Sequence, residues 1–149
     1  ASDVYKRQVV QSFDWRALQV VQDVAPNVAT SYLTVDQDWL SNLQTGMPGK
    51  SPWLNSFDVD DFGGSAARAI KAAGGNIWSS YHKEVGAKAI KLAQDLGLSV
   101  NVWTVNETGR MRELIEMGVD GIITDYPDRL RRVLKALDMA VPAPTPVDY

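Results

Sequence analysis

The sequence contains no cysteine, so disulfides and thiolate metal sites are excluded. It contains a single histidine, and a proton relay between two histidines cannot be built from this chain alone. The net charge is -3 and no long basic run is present, which argues against a nucleic-acid surface. No apolar run approaches the ~20 residues that a membrane span needs. At 149 residues, 45% of them hydrophobic, the chain is long enough for one domain with its own core.

Short β-branched segments alternate with amphipathic or alanine-rich segments along most of the chain. This pattern predicts strands at residues 9–13, 29–33, 76–81, 100–105 and 122–123. Helices are predicted at residues 15–24, 64–73, 83–96 and 128–137, with a further amphipathic helix around 111–119. Five strands, each followed by a helix, indicate an α/β fold with a parallel sheet covered by helices. Residues 34–63 form a long irregular region, and such regions are usually functional.

Five βα units do not close an eight-stranded barrel. The chain is therefore predicted to be either an open sheet or the last five units of a barrel whose first three units are missing. The polar segment 1–8 runs directly into the apolar Val9 and Val10, and this abrupt start favours the second alternative. The predicted organisation is an N-terminal segment at 1–8, a βα domain at 9–137 and a Pro-rich flexible tail at 138–149.

Polar and aromatic side chains follow the predicted strands, at the edge where α/β folds bind ligands. Trp103 is either an aromatic wall of a substrate pocket, with Asn106 supplying a hydrogen bond, or a large residue packed under the following loop. Asp125 is a candidate base or metal ligand. Its place just before Pro127 favours a role as the N-cap of the last helix.

The lone His82 could serve as a general acid or base. Its position beside a lysine and a glutamate, at a predicted helix start, favours a solvated surface instead. Three carboxylates lie close together in the long loop, at Asp58, Asp60 and Asp61, and hard cations favour such clusters. Their spacing lacks the ligand pattern of a calcium loop, so they are predicted to be turn residues.

The segment VNVWTVNETGRMRELIEMGVDGIITDYPDRL, at Val100–Leu130, resembles the C-terminal signature of glycerophosphodiester phosphodiesterases. Upstream, VVQSFDWRAL at Val9–Leu18 is similar to the strand that this family places about halfway along its barrel. The segments Ser31–Leu33 and Ile77–Val85 resemble the intermediate strands. The resemblance covers nearly the whole chain apart from residues 1–8, read as a non-family segment, and the tail. It identifies a partial (β/α)8 TIM-barrel domain.

The resemblance implies an enzyme that hydrolyses glycerophosphodiesters to glycerol 3-phosphate and an alcohol. Members of the family use a divalent metal, commonly calcium or magnesium, held by carboxylates, together with two histidines. The chemistry is reasonable because a cation neutralises phosphate charge while a histidine protonates the leaving alkoxide. The family's HRG, ExD, ExK and HD motifs carry these groups. None occurs here in a matching position, so no catalytic residue and no metal ligand is assigned to this chain.

The residues that match family positions are expected to line the substrate pocket. They are not expected to supply its reactive groups. Trp103 matches the family's substrate-side tryptophan. Ser12, Phe13 and Trp78 end matching strands and are weaker candidates for substrate contact. The resemblance therefore predicts a small-molecule glycerophosphodiester ligand, and a divalent metal only for a full-length enzyme. The chain on its own is expected to be inactive.

Two alternatives remain open at this point. The chain could be a self-contained, non-catalytic α/β binding domain, in which case something other than missing βα units would cap its first strand. It could also be another phosphate-binding barrel, although that would be expected to show a Gly-rich loop where this chain has TDYP. If the chain is a partial barrel, its first and last strands are expected to expose edges through which the isolated chain could self-associate.

Overall fold

A computed structural model describes residues 8–143 and shows strands and helices in alternation. The strands are β1 (Val9–Ser12), β2 (Ala29–Thr34), β3 (Asp36–Gln37), β4 (Leu40–Ser41), β5 (Ile77–Tyr81), β6 (Ser99–Trp103) and β7 (Gly121–Ile122). The helices are α1 (Trp15–Val24), α2 (Ala66–Ala72), α3 (Ala87–Asp95), α4 (Thr108–Glu116) and α5 (Pro127–Ala136).

The main sheet of the described chain has the strand order β1-β2-β5-β6-β7, and every neighbouring pair is parallel. Its spatial order follows the chain order, and a helix covers each crossover. A barrel wall advances in this way, whereas a doubly wound sheet reverses direction at a switch point. The small strands β3 and β4 form a separate antiparallel hairpin in the loop after β2.

The helices begin where the sequence supplies suitable caps. Asp14 precedes α1, and its carboxylate accepts a hydrogen bond from the backbone N–H of Arg16. Ser65 caps α2 in the same way. The prediction for α3 was wrong at its start, because the helix begins at Ala87 and not at Lys83. Gly86 is its N-cap in an extended conformation, and residues 82–85 form a turn that leaves β5.

The predicted irregular region is more ordered than the sequence indicated. It contains the β3–β4 hairpin and a 3-10 turn at Val59–Phe62. Asn42, which is 1% exposed, ties it to the strand ends. Its amide nitrogen donates to the carbonyls of Phe13 and Leu33, at 3.0 Å each, and its amide oxygen accepts from the N–H of Val35 at 3.0 Å. The long loop is thus held over the carboxyl ends of β1 and β2.

The hydrophobic core lies between the sheet and its helices and extends under the long loop. Its largest fully buried side chains are Trp15, Tyr32, Leu18, Leu54, Ile70, Ile90, Met111, Leu114, Val35, Val59, Val100 and Val102. Burial of this apolar surface is the main favourable contribution to folding. Among residues 8–143, no helix is both long and apolar enough to cross a membrane. Residues 1–7 and 144–149 lie outside the described part, and with them most of the predicted N-terminal segment and half of the predicted tail.

Candidate functional site

Side chains alternate between the two faces of the main sheet. Val100 and Val102 lie in the core beneath the helices, and their register partners Trp78 and Ser80 share that face. The intervening positions therefore face the other way. Ser79, Tyr81 and Trp103 lie on this second face, which no helix of the described chain covers.

Two aromatic rings from distant strands meet on this second face. The rings of Phe13, directly after β1, and Trp103, at the end of β6, are 5.3 Å apart between centroids, at an interplanar angle of 82°. Strands β2 and β5 lie between β1 and β6. In a flat sheet, three steps of about 4.8 Å would hold these strands far apart. The contact therefore shows that the sheet curves and that the second face is concave.

Trp103 is fixed on the concave face by a hydrogen bond as well as by its neighbours. Its indole N–H donates to the carbonyl of Ser79 at 3.0 Å. The hydroxyl of Ser79 is in turn 3.0 Å from that of Ser31, and both serines are buried. Tyr81 packs against Trp103 with ring centroids 5.4 Å apart. Since the indole N–H is already used, Trp103 offers its ring surface and not a donor to a ligand.

The structure brings together only two of the four residues predicted to form a pocket wall. Phe13 and Trp103 are in contact, whereas Ser12 and Trp78 occupy the helical side of the sheet. Trp78 is 6% exposed, and its indole N–H donates to the hydroxyl of Thr34 at 2.8 Å. The Ser12 hydroxyl accepts from the backbone N–H of Asp14 at 3.0 Å. The alternation of side chains along a strand separates the two pairs, because Ser12 is adjacent in sequence to Phe13.

Asn106 joins the loops that follow β6 and β7. Its amide nitrogen donates to the carboxylate of Asp125 at 2.9 Å, and its amide oxygen accepts from the N–H of Asp125 at 3.1 Å. The hydroxyl of Thr124 also donates to that oxygen, at 3.2 Å. The guanidinium of Arg129 donates to the backbone carbonyl of Asn106 at 2.9 Å. The Asn106 side chain is thus committed to protein contacts.

The prediction that Asp125 caps the last helix was wrong. The N-cap of α5 is Tyr126, with Pro127 in the first turn, and no side chain caps this helix. The carboxylate of Asp125 instead accepts a hydrogen bond from the side-chain amide of Asn106. Asn106 follows β6, so it lies at the same edge of the sheet as Asp125. Sequence proximity to a proline favoured the cap, but the long-range hydrogen bond holds the side chain elsewhere.

His82 does not lie on a solvated helix start, which corrects the expectation from the sequence. It follows β5 directly, and its ring is 5.1 Å from that of Tyr81 in an edge-on arrangement. Its Nδ1 is buried, with no hydrogen-bond partner within residues 8–143. Burial lowers the pKa of His82, and the positive charges of Arg110 and Lys83 lower it further. The imidazole is therefore neutral near pH 7.

A pocket of about 380 Å³ opens beside His82 and Trp103, above the ends of β5 and β6. Its lining includes two basic side chains, Lys83 and Arg110. Arg110 is held in place, because its guanidinium donates to the carbonyl of His82 at 2.5 Å and to the carboxylate of Glu113 at 2.9 Å. The rim of the strand ends thus combines aromatic surface with fixed positive charge.

The residues of the structure do not fit a divalent-metal site. Within residues 8–143, no three acidic, histidine or cysteine side chains converge as metal ligands do. The clustered loop carboxylates act within turns, as the sequence indicated. Asp58 accepts from the N–H of Asp60 at 3.0 Å and caps the 3-10 turn, while Asp60 accepts from the N–H of Gly46 at 2.8 Å.

Sequence reasoning missed three residues that shape this edge of the sheet. Tyr81 ends β5 beside Trp103, Trp39 lies at the tip of the β3–β4 hairpin, and Asn42 anchors the loop. Strand alternation around Ser79 could have placed Tyr81 on the concave face. No local sequence pattern identifies Trp39 or Asn42, because their partners, Tyr81 and Phe13, are distant in sequence.

Comparison with known proteins identifies a family model that matches most of the chain. The family model described as the glycerophosphoryl diester phosphodiesterase family matches residues 2–129. YhdW of Bacillus subtilis (strain 168), a glycerophosphodiester phosphodiesterase homologue, is 28% identical over 122 residues, which are 80% of this chain and 40% of YhdW.

Solved structures agree with that match. A family protein from Silicibacter pomeroyi DSS-3 superposes with a TM-score of 0.70 at 34% identity, over 90% of this chain and 40% of that one. A phosphodiesterase of Oleispira antarctica, solved in complex with its product sn-glycerol-3-phosphate, shares the fold, with a TM-score of 0.61 at 14% identity over 85% of this chain and 41% of that one.

The fold and the family predicted from the sequence are both confirmed. The described chain is a partial TIM-type barrel of five parallel strands, and it spans about two fifths of the length of the relatives it matches. The family consists of phosphoric diester hydrolases. By the match across residues 2–129 and the shared barrel architecture, the chain belongs to the glycerophosphoryl diester phosphodiesterase family.

Proposed function

We propose that this chain supplies the last five βα units of a metal-dependent glycerophosphodiester phosphodiesterase. Water attacks the phosphorus of the phosphodiester, and the bond between phosphorus and the alcohol oxygen breaks. The products are glycerol 3-phosphate and the neutral alcohol, whose oxygen takes up a proton. The observation that carries this proposal is the contact between Phe13 and Trp103. This contact supports the proposal, because the two rings lie on the concave face at the carboxyl ends of the strands, where TIM-barrel enzymes bind substrate.

The wall would bind the carbon skeleton of the substrate. The ring of Trp103 is held on edge against Phe13 and packed on Tyr81, and its only polar group donates to the carbonyl of Ser79. Rings with no free donor present an apolar surface to the C–H groups of a glycerol chain. Aromatic surfaces that are fixed in this way position a ligand with little loss of side-chain freedom. Ser12 and Trp78 would support the wall from the helical side.

The reactive groups of the complete enzyme would come from the rest of the barrel. A divalent cation, calcium or magnesium by family resemblance, would neutralise the phosphate charge there. The described residues do not converge as its ligands. The single histidine, His82, has its Nδ1 buried and shares a pocket with the basic side chains of Lys83 and Arg110. The 149-residue chain alone is therefore expected to show no phosphodiesterase activity.

The test compares the chain with its own extended form. The pure 149-residue chain should release no glycerol 3-phosphate from glycerophosphodiesters with or without Ca²⁺ or Mg²⁺. A protein that extends the same chain upstream by the family's HRG- and ExD-bearing units should release it, and EDTA should stop the reaction. In that protein, Trp103→Ala should raise KM by about tenfold, since an aromatic contact contributes up to ~1.5 kcal/mol.

Two outcomes would contradict the proposal. Metal-dependent release by the 149-residue chain itself would overturn its predicted inactivity. An upstream reading frame without the HRG and ExD motifs would overturn the enzyme assignment and favour a self-contained, non-catalytic α/β binding domain. As a matched control, Trp53→Ala removes a partly exposed tryptophan that lies in the long loop and not in the aromatic wall, and KM should not change.

A further inference from the structure

The long loop between β2 and α2 exposes large apolar side chains to solvent. Trp39 is 60% exposed, Met47 57% and Trp53 38%. Loops that follow the strands of a parallel sheet lie at its carboxyl edge, so these three side chains lie at one end of the molecule. Among residues 8–143, the one other exposed large aromatic side chain is Tyr126, which follows β7 at this same end. Exposed apolar surface that is concentrated in this way indicates contact with a partner.

The most exposed part of this loop is residues 45–50, here called the loop tip. The residues that flank it are anchored in the core, since Leu43 is 8% exposed and Leu54 is fully buried. Every residue of the loop tip itself is exposed. A Cβ added to Gly46 or to Gly49 would meet no atom within 4 Å. The loop tip is therefore a convex protrusion with open space around it.

Hydrogen bonds fix the base from which the loop tip protrudes. The hydroxyl of the buried Ser51 donates to the carbonyl of Asn42 at 2.6 Å, which joins the two sides of the base. The carbonyl of Trp53 accepts from the N–H of Trp15, the first residue of α1, at 2.8 Å. Because the base is fixed in this way, a partner that contacts the loop tip meets a largely preorganised surface.

The charges around the loop tip restrict the kind of partner. Residues 39–57 contain no aspartate or glutamate, and their single charged side chain is that of Lys50. Carboxylates border the segment instead. Asp38 is exposed at its start, and Asp60 accepts a hydrogen bond from the N–H of Gly46 at 2.8 Å. The apolar surface is thus nearly uncharged, and its acidic border disfavours an anionic partner.

We propose that the loop tip, together with Trp39 and Trp53, docks on the surface of a zwitterionic phospholipid bilayer. A convex apolar tip offers no groove to a peptide, whereas fluid headgroups deform around it. Indole rings favour the interface, where their apolar surface is buried while the N–H group keeps its hydrogen bonds. Met47 enters the boundary with the acyl chains, and the Lys50 ammonium extends back to lipid phosphate.

This inference goes beyond the proposed function, because docking requires no reaction. With the loop tip in the headgroup layer, the carboxyl edge of the sheet faces the bilayer. The release of glycerol 3-phosphate from water-soluble diesters is measured without lipid, so a failure of docking and a failure of the enzyme assignment are distinguishable.

The test mixes the 149-residue chain with phosphatidylcholine vesicles and separates them by flotation. The chain should float with the vesicles. Met47→Asp should weaken binding about tenfold, because it places a carboxylate where apolar surface is buried. Val24→Asp is the matched control and should bind as the wild type does, since it adds the same charge at an apolar residue, 76% exposed, at the end of α1.

A second measurement locates the contact without relying on a charged variant. Phosphatidylcholine with brominated acyl chains should quench the tryptophan fluorescence of the wild-type chain. The double variant Trp39→Leu and Trp53→Leu should lose this quenching, because Trp15 and Trp78 are buried and Trp103 lies on the concave face.

Several results would overturn docking by the loop tip. These are a wild-type chain that does not float, equal weakening by Met47→Asp and Val24→Asp, and quenching that persists in the double tryptophan variant. Binding that occurs only on phosphatidylglycerol vesicles and is lost at high salt would show an electrostatic contact instead. Loss of flotation in Val10→Lys would assign the contact to the free edge of β1 and not to the loop tip.

Discussion

The rings of Phe13 and Trp103 touch across a concave sheet although two strands separate their own strands. This contact indicates that the sheet is curved. It also lies where the proposed substrate-binding wall is located. It depends on the alternation of side chains at the ends of β1 and β6, which sends both rings to the same face.

The curvature predicts energetic coupling between Phe13 and Trp103. Phe13→Leu, Trp103→Leu and the double variant should yield a coupling free energy of ~0.5–1.5 kcal/mol in urea unfolding. The control pair combines Trp103→Leu with Phe62→Leu in the 3-10 turn, where the two effects should add. Additive effects at Phe13 and Trp103 would mean that the two rings do not meet and that the sheet is flatter than described.

The bonds between Asn106 and Asp125 predict a stability contribution from the strand-end loops. Asn106→Ala removes the partners of the Asp125 carboxylate and of the Thr124 hydroxyl. It should lower the free energy of unfolding by ~0.5–1.5 kcal/mol, the range of an ordinary hydrogen bond, because Asp125 is exposed and water can replace the lost partner. Asn27→Ala, at an exposed residue in the turn before β2, should change it by less than about 0.5 kcal/mol. Equal melting curves for the two variants would argue against the network.

The lowered pKa of His82 predicts a loss of stability on the acid side of neutrality. An unfolded histidine titrates near pH ~6.5. As the pH falls below that value, the unfolded chain binds a proton that the folded chain resists, so the free energy of unfolding decreases until the folded pKa is passed. His82→Gln should remove this component, so the variant should gain stability relative to the wild type as the pH falls below about 6.5. Because His82 is the only histidine, its imidazole NMR titration measures the folded pKa directly, and a value at or above the ordinary one would refute the prediction.

Close packing around Gly75 predicts that a methyl group is not tolerated there. A Cβ at this position would lie 2.6 Å from a side-chain carbon of Ile70 and 2.8 Å from the ring of the fully buried Tyr32. Gly75→Ala should cost ~1–3 kcal/mol of stability because the Tyr32 ring, packed on Trp15, cannot move freely. Gly109→Ala in α4 has open space and should stabilise the helix by up to ~1 kcal/mol. Opposite shifts in Tm are the expected result.

The free edge of β1 predicts self-association of the isolated chain. Val9 and Val10 are 46% and 37% exposed on a strand that pairs on one side only within residues 8–143. Sedimentation should show mass that increases with concentration, and Val10→Lys should reduce it by placing charge on the edge. Val24→Lys, on the exposed end of α1, is the matched control and should leave association unchanged. A wild-type chain that stays monomeric at high concentration would contradict this prediction.

Much of the fold was predictable because its signals are local. β-branched segments, helix-forming stretches and the glycines between them placed all five strands of the main sheet and their helices within a few residues. The start of α3 was misplaced since residues 82–85 carry helix-compatible side chains but follow β5 as a turn. The site was less predictable. The family motif predicted Trp103 as a pocket residue, whereas no periodic pattern in the long loop indicated Trp39 or Asn42.

The amino-acid sequence by itself determined the order of strands and helices, the parallel character of the sheet, the family and the absence of a second histidine. These follow from composition, periodicity and motif, all of which are properties of neighbouring residues. The tertiary structure alone decided which strand-end side chains share a face and which rings touch. It separated Phe13 from Ser12, directed Asp125 to Asn106 and not to a helix cap, and placed Trp39 over Tyr81. The physical reason is that sheet curvature and long-range hydrogen bonds arise only when distant segments pack together.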